Sequence, residues 1–281
     1  MSTVIEKDKS KARDWAAPEH ESELIHYRVE SGVAVLEMDD PPANTYTYAF
    51  NRQLDDAILR ARMDDDVHVL LLRGSGEKFF CAGADIGMLQ KVTPRYKYFF
   101  CLHANETMLR LENTPKLVIA ALNGHCVGGG LEVALAADLR VAKKGGGKIG
   151  LPEVALGVLP GTGGTQRLPR IVGKAKAIEL MTRGENLSFE DAKAIGLVNE
   201  ILDAERFDAA VMEYARQFCP PSKASKSVGF IKRAVQAGLE VPLESGLALE
   251  RELQQQLFLS DDAREGITAY NEKRKPQFKG R

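Results

Sequence analysis

Apolar residues in this chain fall into two rhythms, short unbroken runs and repeats of helical period, and their order predicts the architecture. Residues 33–38 (VAVLEM) form an apolar run stopped by Asp39-Asp40-Pro41-Pro42, a strand followed by a breaker. Over 44–62, Phe50, Leu54, Ala57, Ile58 and Ala61 recur at helical spacing while Asp55 and Asp56 face away, which predicts a helix. Residues 67–73 (VHVLLLR) form a second strand, ended by Gly74-Ser75-Gly76. Two strands joined by a helix-length connection predict parallel pairing. A loop, FFCAGADIGMLQ, leads to a helix over about 95–112 and a third buried strand at 117–121 (LVIAA). The stretch NGHCVGGGLEVALAADLRVA then predicts a Gly-rich turn, a short apolar helix and a strand at 138–142, closed by Gly145-Gly146-Gly147.

Beyond Leu151 the pattern turns helical. Short helices are predicted at 163–171, 174–183 and 188–194, then a strand at 197–202. Four further helical stretches cover about 204–218, 222–238, 241–259 and 261–273. The fold class is therefore α/β, with a core over 21–202 and a helical region over 203–281. No Pro/Ser-rich linker separates them, so one packed unit is expected. The helical third carries more apolar faces than the core can cover, which points to subunit contacts.

Composition narrows the function classes. Of 281 residues, 44% are hydrophobic and 27% charged, as in ordinary globular proteins. A net charge of −1 gives no global field toward nucleic acid or an anionic membrane. Anionic ligands must be held by local Lys, Arg or helix N-termini. Cys81, Cys101, Cys126 and Cys219 form no CxxC pair, so reduced thiols in a cytoplasmic protein are expected. No stretch reaches the roughly 18 apolar residues of a membrane span. The N-terminal segment is charged with both signs and lacks an apolar centre, so residues 1–20 are expected to be a mobile tail, with Trp15 able to tack it to a surface.

Two loops carry the first chemical signal. Cys81-Ala82-Gly83-Ala84-Asp85-Ile86 and Gly128-Gly129-Gly130-Leu131-Glu132 each follow a strand and open a helical turn. Small residues there allow peptide N–H groups to reach a ligand, although a tight turn alone would also use them. One N–H from each loop could grip a carbonyl oxygen as it gains charge, each contributing about 2.7–4 kcal/mol. Glu132 falls in the first helical turn, where its plainer role is to face its own helix N-terminus. Glu153 follows Pro152 in IGLPEV; taken alone it is a solvated loop carboxylate. Water addition to a conjugated double bond needs a base at the water and an acid at C2, which two carboxyl groups can supply. Side by side and desolvated, they would raise each other's proton affinity.

FCAGADI, NGHCVGGGLEVALAADLRVA, IGLPEVALGVLPGTGGTQRLPRIVG and the stretch at 180–202 together resemble the crotonase (enoyl-CoA hydratase/isomerase) family, over about residues 24–281. The resemblance implies a crotonase (ClpP-like) spiral of ββα units with nearly perpendicular sheets and a helical C-terminal oligomerisation region building homotrimers or homohexamers. It implies an enoyl-CoA hydratase, with Ala84 and Gly129 as oxyanion-hole donors, Glu132 activating water, Glu153 protonating C2 and Gly161, at a helix N-terminus, helping to place the water. Ala82, Asp85, Ile86 and Gly87 are the expected substrate-binding positions. The partner is an acyl-CoA thioester. No cofactor beyond the coenzyme A of the substrate, no metal, no nucleic acid and no membrane are expected.

Possession of both glutamates favours hydratase over a Δ3-Δ2 enoyl-CoA isomerase. A non-enzymatic CoA-ester- or RNA-binding relative is the other alternative. Gly87 stands where many hydratases carry a lysine for the CoA phosphates. Lys91, Arg95 and Lys97 are substitutes, with Lys275 and Lys279 for a neighbouring subunit's ligand, though each is otherwise a solvated side chain. Asn44-Thr45-Tyr46-Thr47 replaces the usual Asn-Ala-Leu, and its extra hydroxyls suggest an altered acyl or CoA pocket. Tyr96, Tyr98, Phe99 and Phe100 are expected in the core rather than across the pocket. His125 beside the second loop is expected to make a structural hydrogen bond, and His26, His68 and His103 lack metal spacing.

Overall fold

The structure is a computed structural model describing residues 22–281; the tail expected over 1–20, with Trp15, lies outside the described residues. Strands β1 (Ile25–Glu30) and β2 (Val33–Met38) form an antiparallel hairpin turned through Ser31 and Gly32, both at positive φ. Helix α1 (Tyr48–Met63) follows, its first turn capped by the Thr47 hydroxyl, which accepts from Phe50 N. The chain continues through β3 (Val69–Gly74), β4 (Phe79–Cys81), α2 (Ile86–Leu89), α3 (Pro94–Glu112), β5 (Leu117–Leu122), β6 (His125–Val127) and α4 (Gly129–Leu135). Next come β7 (Leu139–Lys143), β8 (Lys148–Gly150), a single 3-10 turn (Glu153–Leu156), α5 (Gly164–Val172), α6 (Lys174–Arg183), β9 (Leu187–Ser188), α7 (Phe189–Ala194) and β10 (Glu200–Leu202). Helices α8 (Phe207–Arg216), α9 (Ser225–Gly238), α10 (Leu243–Phe258) and α11 (Asp261–Asn271) complete it.

The large sheet runs β1-β2-β3-β5-β7-β10 and is parallel apart from the β1–β2 hairpin. A second sheet runs β4-β6-β8-β9. Three times over, a long strand of the large sheet is followed by a short strand of the small one and then by helix: β3 then β4, β5 then β6, β7 then β8. This is the repeating ββα unit that the resemblance implied.

The unbroken apolar runs have a simple cause: both faces of the large sheet are buried. Leu36, Met38, Leu70, Leu72, Val118 and Ala120 point into one core with Phe50, Leu54 and Ile58 of α1 and Met108 and Leu111 of α3. The alternate residues Val35, Val69, Leu71, Ile119 and Val141 point into another, closed by Phe207, Val211 and Ala215 of α8. The first helix of the C-terminal region thus covers the sheet. α9 lies on it too, where Gly229 approaches the Pro115 carbonyl so closely that a Cβ would stand 2.1 Å away. Farther out, Leu239, Leu243, Phe258, Leu259 and Tyr270 are left exposed.

Some sequence expectations shift. The helix predicted over 44–62 begins only at Tyr48, because Asn44 takes a positive φ and turns its buried amide onto the carbonyls of Ser75 and Phe79. Residues 44–47 become a loop bridged at Tyr46 to Ala84. The segment read as a loop after Gly76 contains β4 and α2. β1 was missed, since IHYRVE exposes charged residues, and β4, β6 and β8, each three residues long, are too short to show a period.

Candidate active site

The two small-residue loops meet. Gly83, at φ 89°, lies so close to Gly129 that a Cβ on it would stand 2.7 Å from Gly129 N. A Cβ on Gly130 would stand 1.9 Å from the Cys81 carbonyl oxygen, and one on Gly129 would strike the Tyr46 phenol at 2.3 Å. The glycines are therefore required first by the approach of one loop to the other. Gly128, at φ 57°, reverses the chain after β6, with its N–H on the Gly150 carbonyl at 2.9 Å. Gly129 is the first residue of α4, and a helix supplies no acceptor to its first N–H groups. Ala84 is held at the bridge to Tyr46, where Tyr46 N donates to the Gly83 carbonyl at 2.9 Å. The Ala84 and Gly129 N–H groups have no acceptor among the described residues.

Glu132 lies on α4, 2% exposed. It does not face its own helix N-terminus. Its Oε1 accepts from Thr162 N and Gly164 N, both at 2.7 Å, at the start of α5. Burial raises its pKa, and the two N–H bonds, the Lys97 charge and the Thr162 hydroxyl act against that rise. Gly161 sits three residues ahead of α5 rather than at its first turn, and its carbonyl accepts from the Asn105 amide at 3.4 Å. Thr162 and Gly164 escaped the sequence reading. The signal available was that α5 must begin within the Gly-rich run 161–164, and a helix start presents free N–H groups to an anion.

Glu153 opens the 3-10 turn directly after β8 and Pro152. It is half-buried rather than solvated, which corrects the plain loop reading. Its Oε1 lies beside Gly128, 3.4 Å from where a Cβ would stand there, and its buried Oε2 has no hydrogen-bond partner among the described residues. Its pKa is pushed up to about 7, by burial first and by the Glu132 charge in addition, against its own backbone N–H and Lys97. Both carboxyl groups, the two free N–H groups and Lys97 thus belong to one site.

Other candidates fare differently. Asp85 caps α2 through Met88 N, Ile86 is half exposed, Ala82 N donates to the Ala43 carbonyl at 3.0 Å, and a Cβ on Gly87 would meet only Asp85 Oδ1. Arg95 and Lys97 lie over the rings of Phe99 and Phe100. Phe100 is core, as expected, whereas Tyr98 and Phe99 are exposed and touch each other edge-on. The hydroxyls at 45–47 are turned inward: Thr45 donates to Asp40, Thr47 caps α1, and Tyr46 pairs with Thr162. His125 accepts from Lys148 N through Nδ1 at 3.0 Å, the structural bond expected of it. All four cysteines are free, and burial pushes the Cys81 thiol up to about 12. Among the described residues no group of His, Cys, Asp and Glu could hold a metal ion, and no helix is long and apolar enough to cross a membrane.

Comparison with known proteins gives matches over most of the chain. The profile of the enoyl-CoA hydratase/isomerase family matches residues 28–281. The short-chain-enoyl-CoA hydratase of Clostridium acetobutylicum is 36% identical over 254 residues, covering 90% of this chain and 96% of that protein. The crotonyl-CoA hydratase of Syntrophomonas wolfei is 35% identical over 257 residues, covering 91% and 98%. Among solved structures, the enoyl-CoA hydratase of Geobacillus kaustophilus superposes with a TM-score of 0.90 at 42% identity, covering 93% of this chain and 98% of that one.

Proposed function

The chain belongs to the enoyl-CoA hydratase/isomerase family, and from that premise we propose that it adds water reversibly to a 2-enoyl-CoA, giving a 3-hydroxyacyl-CoA. The thioester oxygen accepts hydrogen bonds from Ala84 N–H and Gly129 N–H, which draws electron density away from C3. Glu132, as the carboxylate, takes a proton from water while the water oxygen bonds to C3. Glu153, as the acid, gives its proton to C2 of the resulting enolate. The reverse reaction exchanges the two roles. Coenzyme A enters as part of the substrate and no separate cofactor takes part.

The unequal environments of the two glutamates carry this reading. Burial raises both, but Glu132 has two backbone donors on one oxygen that oppose the rise, while Glu153 has a partnerless oxygen and a pKa near 7. A pair of carboxyl groups set apart in this way suits one base and one acid. Short acyl chains are the ones with which to begin, since the two relatives above are named for short-chain enoyl-CoA and crotonyl-CoA. The exposed apolar residues of α9 to α11 support assembly into homotrimers or homohexamers, the near-neutral charge speaks against nucleic-acid partners, and the four free cysteines fit a cytoplasmic enzyme.

The test is loss of enoyl absorbance when crotonyl-CoA meets the purified protein, followed by longer, branched and ring-derived enoyl thioesters. Hydration of any of these, with the 3-hydroxyacyl product identified by mass, supports the assignment. Turnover of a 3-enoyl-CoA without any hydration would replace it with the isomerase reading.

A further inference from the structure

We propose that Tyr46 is a positioning residue that ties the Ala84–Gly129 donor pair to Glu132, so that loop contact and carboxylate placement are set by one side chain. Its backbone N–H holds the Gly83 carbonyl at 2.9 Å, fixing the loop that presents Ala84. Its phenol lies against Gly129, where even a methyl group would strike Oη at 2.3 Å. The phenol oxygen meets the Thr162 hydroxyl at 2.9 Å, and Thr162 N donates to Glu132 Oε1 at 2.7 Å. The side chain is 2% exposed and its ring stacks on Phe100 at 5.7 Å, which in turn stacks on Tyr96 at 6.3 Å. One residue therefore touches the first loop through its backbone, the second through its ring, and the α5 start through its hydroxyl. A phenylalanine would keep the ring against Gly129 but could not bind Thr162.

The chemical consequence follows from the hydrogen-bond directions. Burial keeps the phenol protonated, so it can donate to Thr162 Oγ1. Held through its hydroxyl, Thr162 presents its backbone N–H to Glu132 Oε1 at 2.7 Å, a bond that favours the carboxylate. Contact thus runs from the Tyr46 phenol through Thr162 to the proposed base. Around Glu132 the other charged or titratable groups are Glu153 on the 3-10 turn and Lys97 on α3, and around Tyr46 they are Cys81 and Cys101. The kinetic part of this inference rests on the hydratase reading; the coupling of Tyr46 to Glu132 does not.

Tyr46→Phe removes only the hydroxyl. For the enoyl-CoA substrate we expect kcat to fall about fivefold to tenfold, the size of one lost hydrogen bond, with KM within about twofold. The acidic limb of the pH–rate profile should move upward by ~0.5 unit or more, because Glu132 loses support for its charge. Thr162→Val should give the same shift, and the double variant should be no worse than Thr162→Val alone. The independent readout is an infrared titration of the carboxylate band that vanishes in Glu132→Gln. Its midpoint should rise in Tyr46→Phe whatever reaction the protein performs. An unmoved midpoint would overturn the inference, as would full additivity of the two substitutions. Should Tyr46→Phe fail to fold, the Thr162→Val midpoint decides in its place. Absence of hydration by the wild type, with the midpoint shift present, would overturn the functional reading and leave the coupling standing.

Discussion

At the scale of single residues the site depends on two carboxyl groups with different surroundings. Replacing Glu153 by glutamine keeps the shape and removes the titrating proton. Turnover should fall by about 10²–10⁴-fold while affinity for a saturated acyl-CoA stays within a few-fold, measured by steady-state kinetics and calorimetry. The pH dependence has a definite sign. With Glu153 as the proposed acid, hydration needs it protonated, so kcat/KM should decline as pH rises past about 7. Stability follows the same proton. The folded pKa of about 7 lies above the ordinary 4.5, so the native state binds the proton more tightly and stability falls as pH rises between those values. Glutamine removes that loss, and the melting-temperature advantage of Glu153→Gln over wild type should grow from pH 5 to pH 8. A constant difference would show that Glu153 is ionised in the fold. Both glutamates were legible only through the resemblance, for nothing in IGLPEV marks the glutamate as half-buried. The N–H donors at Thr162 and Gly164 act through main chain, and only the helix start implied by the Gly-rich run 161–164 pointed to them.

At the scale of elements, the start of α4 is set by steric contact. Gly130→Ala would drive a Cβ to within 1.9 Å of the Cys81 carbonyl and push the two loops apart. A loss of about 1–3 kcal/mol in urea unfolding is expected, together with a larger fall in kcat than in substrate affinity. Gly145→Ala, at positive φ but with nothing within 4 Å, should cost only the local strain of about 1–2 kcal/mol and leave kcat alone. Equal activities of the two variants would remove the link between loop approach and catalysis. Long elements were readable because period shows over many residues, as for α3 and α10. The short strands of the second sheet carry two or three residues each, and it is they that bring β4, β6 and β8 together. The hydrogen bonds that made 44–47 a loop come from Asn44 to carbonyls more than thirty positions away, beyond any local pattern.

At the scale of the whole molecule, the helical region has two parts that the sequence did not separate. α8 and α9 seal the second face of the large sheet, whereas α10 and α11 pack on it little and leave Leu243, Phe258, Leu259 and Tyr270 exposed. Such surfaces are costly unless another subunit covers them, each large side chain being worth about 1.5–3 kcal/mol on full burial. Leu259→Glu with Tyr270→Glu should lower the mass measured by light scattering, while a single chain of unchanged mass in the wild type would place these residues at no interface. The groups proposed to hold the thioester oxygen are peptide amides, so the electrophile half of the chemistry has no letter of its own in the sequence. Alanine scanning passes over position 84, which is alanine already, and only a change that removes the amide hydrogen itself, proline or a backbone ester, would delete that donor. Side-chain variation can therefore redirect the carboxylates while the carbonyl grip persists for as long as the glycines that let the two loops meet are kept.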